Sequence, residues 1–438
     1  MNILKKSLQS PIVMRYLSNS SWMLAEQCLR VLAGIFVGIY IARYLGPEQF
    51  GTLSYVLAIS AFILAITRMG MDAILVRELV NTEVSREEMV GTAFWVMMTS
   101  ALVCYLVAVT AIWSSDEVSD IKMYACIVSG SAFFTSFLAI DYFFQSQLKA
   151  KYSAICKTVT LFLMSLVKLS LIFSGAELLW FVVISLLDHV VLAVLLLIAL
   201  SKTQNLRFLQ CFNKSTAKLM LKSAWPMVIS AVAVLVYMRI DQVMIRSMLG
   251  LRDVGIYSAA IRVYEAWIVF PYVIAISLLP AIAKLKKGHE KLYHERLTQI
   301  FSFIMWMSIF AAVIVSMFSE PIMVIAFGGE YRGAASVVNI LMWTAVFTSI
   351  GSVSARYFNV EHMEKKIALR TVVAALINVI LNWLLISKYG IKGAAYSTLF
   401  CTFFANYLMD WFDKDLKILL KIKHRALFFH LFRSTGYG

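Results

Sequence analysis

Leu45-Gly-Pro-Glu-Gln-Phe-Gly51 recurs 204 positions later as Leu249-Gly-Leu-Arg-Asp-Val-Gly255, and a serine follows each second glycine at the same distance, Ser54 and Ser258. Both copies lie between long apolar runs. Four identities at one offset in one hydropathic setting read as the trace of a duplicated membrane bundle. Repeats related about the membrane normal are a common way to build a carrier from two halves.

The composition supports that reading. Of the 438 residues, 61% are hydrophobic and 15% charged, with only six prolines. That balance excludes an ordinary soluble domain. Apolar runs of about twenty residues, each able to cross roughly 30 Å of hydrocarbon as helix, recur along the chain. They predict about twelve spans: Leu17–Ala42, Phe50–Met69, Met89–Trp113, Ile121–Gln147, Tyr152–Phe173, Glu177–Leu200, Ser223–Ile245, Ile256–Ala283, Phe301–Phe318, Ser336–Ala355, Ile367–Ile386 and Ala394–Phe412. The expected fold is an all-α polytopic membrane protein of two pseudo-symmetric six-helix lobes. Residues 1–201 and 217–412 form the lobes, 202–216 the cytoplasmic linker and 413–438 a basic cytoplasmic tail.

A net charge of +15 invites a nucleic-acid reading, but the placement of the charges marks topology instead. Lys and Arg collect on the cytoplasmic side of membrane proteins. With both termini inside, the inner segments take Lys5, Lys6, Arg15, Arg68, Arg77, Arg86, Lys149, Lys151, Lys157 and the clusters 202–222, 284–296, 356–370 and 414–433. The outer loops keep few, and an even number of spans makes the alternation consistent. Lys284 to Arg296 reads as a polar surface segment at the headgroups. Met1-Asn-Ile-Leu-Lys-Lys6 lacks a short apolar core with a cleavage site, so the first span is expected to stay as an anchor. The six cysteines have no paired spacing, and neither disulfides, a metal site nor a cofactor is expected.

Charges inside spans are costly, roughly 2.5 to 3.5 kcal/mol each on insertion scales, so each calls for a partner, water or a function. Glu26 and Arg30 are four apart on one helix face and can neutralise each other. Arg239 and Asp241 are two apart, point in different directions and should find partners on other helices. Arg262 and Glu265 can share a face. Counted from the outer helix ends, Arg239 and Arg262 lie at about the same depth, about 8 to 10 Å. Two guanidiniums at one depth suit a diphosphate, whose oxygens match the arginine fork; two separate Arg–carboxylate pairs are the structural alternative. Lys168 is a further cation, for which snorkelling to the surface is the simpler account. Asp188 and His189 are too short to snorkel, so they suit either ion coupling or a structural hydrogen bond. Asp141 and Asp72 are expected at the interface. Ser165-Leu-Val-Lys168 and Asp413-Lys-Asp415 imitate enzyme motifs but lack their companions. Gly34-Ile-Phe-Val-Gly38 suits close helix packing.

Ala42-Arg-Tyr-Leu-Gly-Pro-Glu-Gln-Phe-Gly-Thr-Leu-Ser-Tyr55, Ile140-Asp-Tyr-Phe-Phe-Gln-Ser-Gln147 and Arg239-Ile-Asp-Gln-Val-Met-Ile245 carry a resemblance, continued by Tyr257-Ser-Ala-Ala, Tyr264-Glu-Ala-Trp267, Phe327-Gly-Gly-Glu-Tyr331 and Tyr389-Gly-Ile-Lys-Gly-Ala-Ala395. Over nearly its whole length the chain resembles the Wzx-type O-antigen flippases. These belong to the polysaccharide transporter family, in the superfamily that also holds the multidrug-and-toxin extruders and the lipid II flippases. The resemblance implies a MATE-like carrier in the bacterial inner membrane, with both termini cytoplasmic. Its substrate would be an undecaprenyl-diphosphate-linked oligosaccharide, moved outward by alternating access and coupled to a proton or sodium gradient. It implies membrane lipid and other glycan-pathway membrane proteins as partners, and no nucleic acid. Arg30, Arg239, Arg262 and Lys168 are then the expected substrate-binding residues, with Asp188, Glu265, Glu26 and Asp241 for ion coupling. A multidrug-type cation antiporter would need a more acidic interior, and a membrane glycosyltransferase or polymerase a large outer loop or a soluble domain.

Overall fold

A computed structural model describes residues 11–81, 84–204 and 206–428. Lys5 and Lys6, expected on the inner side, and Arg433, expected in the basic tail, lie outside the described residues, as does the side chain of Arg15. Helix dominates, and no strand occurs among the described residues. In chain order the helices are α1 Pro11–Arg68, α2 Met71–Asn81, α3 Arg86–Trp113, α4 Ser119–Ser129, α5 Ser131–Thr135, α6 Leu138–Ser146, α7 Ala150–Phe173, α8 Leu178–Thr203, α9 Lys214–Met248, α10 Leu251–Ala283, α11 Glu290–Met317, α12 Ser319–Phe327, α13 Ala334–Val360, α14 Glu364–Tyr389, α15 Ile391–Phe403, α16 Met409–Phe412 and α17 Lys417–Leu427.

Among the described residues, ten helical stretches are long and apolar enough to cross a bilayer. Eleven of the twelve expected spans map onto them, and the twelfth, Ala394–Phe412, falls on shorter helical pieces outside the ten. The first two share one 60-residue stretch, Ser21–Val80, broken where Gly46 takes φ 71 and ψ 172 ahead of Pro47. Glycine alone adopts that backbone cheaply, and a proline can follow it as the start of a new helix. The last span is assembled from α15, a π-helical turn at Phe404–Leu408 and α16.

Helix ends also differ from the apolar runs. α9 begins nine residues before Ser223, and α11 begins eleven before Phe301. The surface segment expected at Lys284–Arg296 is therefore a 3-10 turn at Lys284–Lys287 followed by the first turns of α11. The physical reason is that hydropathy marks the hydrocarbon thickness, whereas a helix closes its own hydrogen bonds and can continue into the headgroups. Part of the tail is likewise helical, as α17.

The chain divides into two compact units, Met1–Tyr44 with Thr52–Leu235, and Leu45–Gly51 with Val236–Gly438. The first has its core where α2, α3, α6 and α8 meet, around Met71, Leu75, Phe94, Phe143, Phe144 and Leu196. In the second, α13 is central and packs against α10, α11 and α15. Its most apolar stretch is 61% buried in protein, against 17% for α3, whose Val103 and Val107 are exposed. Small residues along α13 permit this approach. Ser308 on α11 donates to Ser349 on α13 at 2.9 Å.

The repeated heptads meet inside the second unit. A Cβ on Gly51 would strike the Leu251 carbonyl, and a Cβ on Gly255 would strike the Pro47 carbonyl. Because 47 and 51 become 251 and 255 at the same 204-residue offset, the contact is reciprocal. The second glycine of each repeat is thus fixed by backbone-to-backbone approach, for which no side chain leaves room.

Candidate functional site

In the second unit Arg239 of α9 donates to Glu265 of α10 at 3.2 Å, and Arg262 lies 3.8 Å from the other carboxylate oxygen of Glu265. The three side chains keep 31%, 33% and 23% of their surface. Arg239 thus takes its partner on another helix, and the two arginines share one acid. Two positive charges against one negative leave the group one cation in excess. In a medium of low dielectric that excess attracts an anion far more strongly than it would in water.

Asp241, two residues on, is nearly fully buried. Its carboxylate accepts from the Tyr257 hydroxyl at 2.6 Å, the Asn382 amide at 2.6 Å and the Thr398 hydroxyl at 2.8 Å. Asn382 also donates to Asn378 at 3.2 Å, and the carbonyl oxygen of Asn382 is buried without a hydrogen-bond partner. All three partners of the carboxylate are neutral. This carboxylate in a nest of hydroxyl and amide groups can hold its charge without a cationic side chain, or accept a proton or a small monovalent cation. No group of three His, Cys, Asp or Glu side chains gathers among the described residues.

Tyr257, Asn378, Asn382 and Thr398 were missed as site residues in the sequence. A signal existed in Asn378 and Asn382, two amides four apart in an otherwise apolar stretch of α14. Their partner Asp241 lies more than 130 residues away.

The first unit behaves differently. Arg30 pairs with Glu26 at 3.1 Å, as the four-residue spacing suggests, with the arginine side chain 53% exposed. Lys168 does not snorkel: its ammonium meets Asp188 of α8 at 2.6 Å. A partner within reach outweighs the longer path to water. His189 Nδ1 lies 3.1 Å from the Ser185 carbonyl one turn earlier, which suits the structural hydrogen bond. Asp141 is buried in protein, paired with Lys157 at 2.6 Å and bonded by the Ser153 hydroxyl. Asp72 is exposed.

A second cluster in the second unit also escaped the sequence reading. Asp410 of α16 is buried between Arg370 of α14 at 2.6 Å and Lys423 of α17 at 2.7 Å. The π turn presents two carbonyls to the same cations: Ala405 O accepts from Arg370 at 3.2 Å and Asn406 O from Lys423 at 2.7 Å. Burial pushes the Lys423 ammonium down to about 8 against the pull of Asp410. The Asp413-Lys-Asp415 pattern has a structural role, because Lys366 bridges both carboxylates at 2.6 and 2.8 Å.

The family described as Polysaccharide biosynthesis protein matches residues 16–286, and MatE matches residues 226–384. Among curated proteins, the probable low-salt glycan biosynthesis flippase Agl15 of Haloferax volcanii is 28% identical over 174 residues, 39% of this chain and 36% of that one. The uncharacterized membrane protein MJ1068 of Methanocaldococcus jannaschii is 28% identical over 148 residues, covering 34% and 29%. The chain thus aligns with about a third of the length of these two relatives. Among solved structures, an inward-facing multidrug-resistance MATE transporter of the MOP superfamily superposes with a TM-score of 0.72 at 14% identity, over 91% of this chain and 96% of that one. The lipid II flippase MurJ in an inward closed conformation superposes with a TM-score of 0.73 at 15% identity, over 92% and 90%. At such identities these likenesses speak for the fold alone. The matched residues 16–286 are more than half of the sequence, and the chain therefore belongs to the polysaccharide biosynthesis protein family, with a MATE-like fold.

Proposed function

We propose that this protein is a flippase that moves an undecaprenyl-diphosphate-linked oligosaccharide, of the O-antigen class, from the cytoplasmic to the periplasmic leaflet of a bacterial inner membrane. Family membership supports the glycan, and the curated relative from Haloferax volcanii bears the name of a probable glycan biosynthesis flippase. The observation that carries the reading is Glu265 shared by Arg239 and Arg262. A diphosphate displaces Glu265 from the two guanidiniums, and its fork-matched oxygens replace one carboxylate by two phosphates. The oligosaccharide needs no bond broken, so the device is a carrier rather than an enzyme. Its moving halves are the lobes at residues 1–201 and 217–412, which alternate access to the two faces.

Outward transfer of a diphosphate is helped by an inside-negative potential, by about 2.3 kcal/mol per charge per 100 mV. Asp241 is the group we assign to ion coupling, by a proton or sodium ion. Of the other acids, Glu26 and Asp188 are closed in ion pairs within the first unit. A cation antiporter is disfavoured because the Arg239 group holds more base than acid.

The test has two arms. Deleting the gene should trap intact lipid-linked repeat units on the cytoplasmic side, identified by mass spectrometry of the accumulated lipid. Arg239→Ala or Arg262→Ala should cut surface glycan at least tenfold with the protein present at normal amounts in the membrane. Normal export by both variants, or an absence of trapped intermediate in the deletion, defeats the reading.

A further inference from the structure

α9 has 35 residues and so measures about 52 Å, whereas the hydrocarbon is about 30 Å thick. With Met248 at its outer end, the first ten or so residues of α9 must stand in the headgroup layer on the side where Lys and Arg collect. Lys214, Lys218 and Lys222 recur every fourth residue there, so they form one ridge about 12 Å long. All three are exposed. Trp225 follows, 62% exposed, at the depth where indole rings mark the membrane boundary.

The ridge continues a stretch, 201–222, that also carries Lys202 and Arg207 and contains no acid. Far from being slack, this stretch is fastened to α3. The Arg207 amide donates to Glu87 Oε1 at 3.1 Å, the Asn213 amide to Thr92 Oγ1 at 3.1 Å and the Thr216 hydroxyl to Glu88 Oε1 at 3.2 Å. Trp95 Nε1 donates to the Leu209 carbonyl at 3.0 Å. Gly91 admits the Phe208 and Cys211 carbonyls where a Cβ would stand, and Asn213 caps α9 through the amides of Ser215 and Thr216. Glu87 and Glu88 are therefore spent on the chain itself. Counted against the five cations and Arg86, they still leave a net charge of +4.

Beside the ridge, Leu209, Phe212 and Leu219 are exposed. A cavity of about 300 Å³ is lined by Gln204, Arg207 and Gln210 together with Leu197, Leu200 and Leu206. We propose that the ridge and this cavity bind an anionic diacyl phospholipid of the cytoplasmic leaflet. The headgroup phosphate lies on Arg207 and the lysine ridge, and the acyl chains lie along the leucines. Charge complementarity selects the headgroup, because a zwitterionic lipid brings no net charge to a +4 surface. The fastening to α3 keeps the cations in register, so binding costs little ordering of the protein.

Native mass spectrometry of the purified full chain, offered phosphatidylglycerol or phosphatidylcholine of equal chain length, tests the assignment. Phosphatidylglycerol adducts should dominate. Changing all three lysines, K214Q/K218Q/K222Q, should weaken phosphatidylglycerol binding by about fivefold per lysine and on the order of a hundredfold together. K388Q/K392Q, at exposed positions in and beside the α14–α15 turn, should leave binding unchanged. All five positions are exposed, so folding survives, and an unchanged thermal midpoint verifies it. Equal uptake of the two lipids by the unaltered chain, or full phosphatidylglycerol preference in the triple variant, overturns the proposal. The second result would leave the ridge to an acidic protein partner.

Discussion

The charges within the helices of the two units are arranged by different arithmetic. In the first unit three pairs close one to one: Glu26 with Arg30, Asp141 with Lys157, Lys168 with Asp188. In the second, Lys286 with Glu361 and Arg332 with Glu320 also close, but three further groups do not. Arg239 and Arg262 share Glu265, Arg370 and Lys423 share Asp410, and Asp241 takes only neutral partners. A closed pair is electrostatically complete and serves as framework, whereas an open group has an appetite for a mobile charge. This contrast is the ground on which we propose the second unit for the working chemistry.

The largest expected effect breaks the Asp410 group. Asp410→Ala leaves two cations buried with no acid, and breaking such a group costs about 3 to 5 kcal/mol. Folded protein in detergent should fall sharply, seen as loss of a monodisperse peak. Asp141→Ala in the first unit strands only Lys157, whose side chain is 19% exposed and can reach toward water, so its loss should be clearly smaller. Equal losses would remove the distinction between paired and shared acids.

Next comes the contrast between Asp241 and Asp188. Asp241→Asn keeps the shape and most hydrogen bonds, so the thermal midpoint should move by only a few degrees while the dependence of export on the ion gradient disappears. Replacing the whole pair in the first unit, Lys168→Met with Asp188→Leu, should be close to neutral for stability, because an ion pair exchanged for apolar groups often is. Gradient dependence should persist in that variant. If it is lost there and kept in Asp241→Asn, coupling belongs to the first unit.

Much of this architecture was legible in the sequence, because a span must be apolar for about twenty residues and its backbone must be helical. The heptad repeat reads as the trace of a duplication, whereas the close backbone approach of Gly51 and Gly255 emerges only from the packing. What could not be read was which charge meets which. Glu26 with Arg30 is local, and spacing alone gave it. Lys168 with Asp188, Arg239 with Glu265 and Asp241 with Asn382 join different helices, so their distances depend on packing that hydropathy does not encode. Asp410 went unnoticed for the same reason, as its partners come from α14 and α17.

The smallest effect sharpens the comparison at its exposed end. Lys366 holds both Asp413 and Asp415, so this group in the second unit is also unbalanced, though its side chains keep between 24% and 68% of their surface. If imbalance matters only where water is excluded, Lys366→Met should cost less than about 1 kcal/mol. The pH dependence identifies the contribution. Partial burial opposes ionisation of Asp413, but hydrogen bonds from Lys366 and from the Asp415 amide outweigh it and hold the carboxyl below its ordinary value. A lowered carboxyl stabilises the fold fully above the unfolded value, about 3.9, and loses that contribution as pH falls through the folded one. The difference in thermal midpoint between the unaltered chain and Lys366→Met should therefore be constant from pH 7 to 5 and shrink only below about pH 4. A difference that varies between pH 7 and 5 would trace the effect to another group.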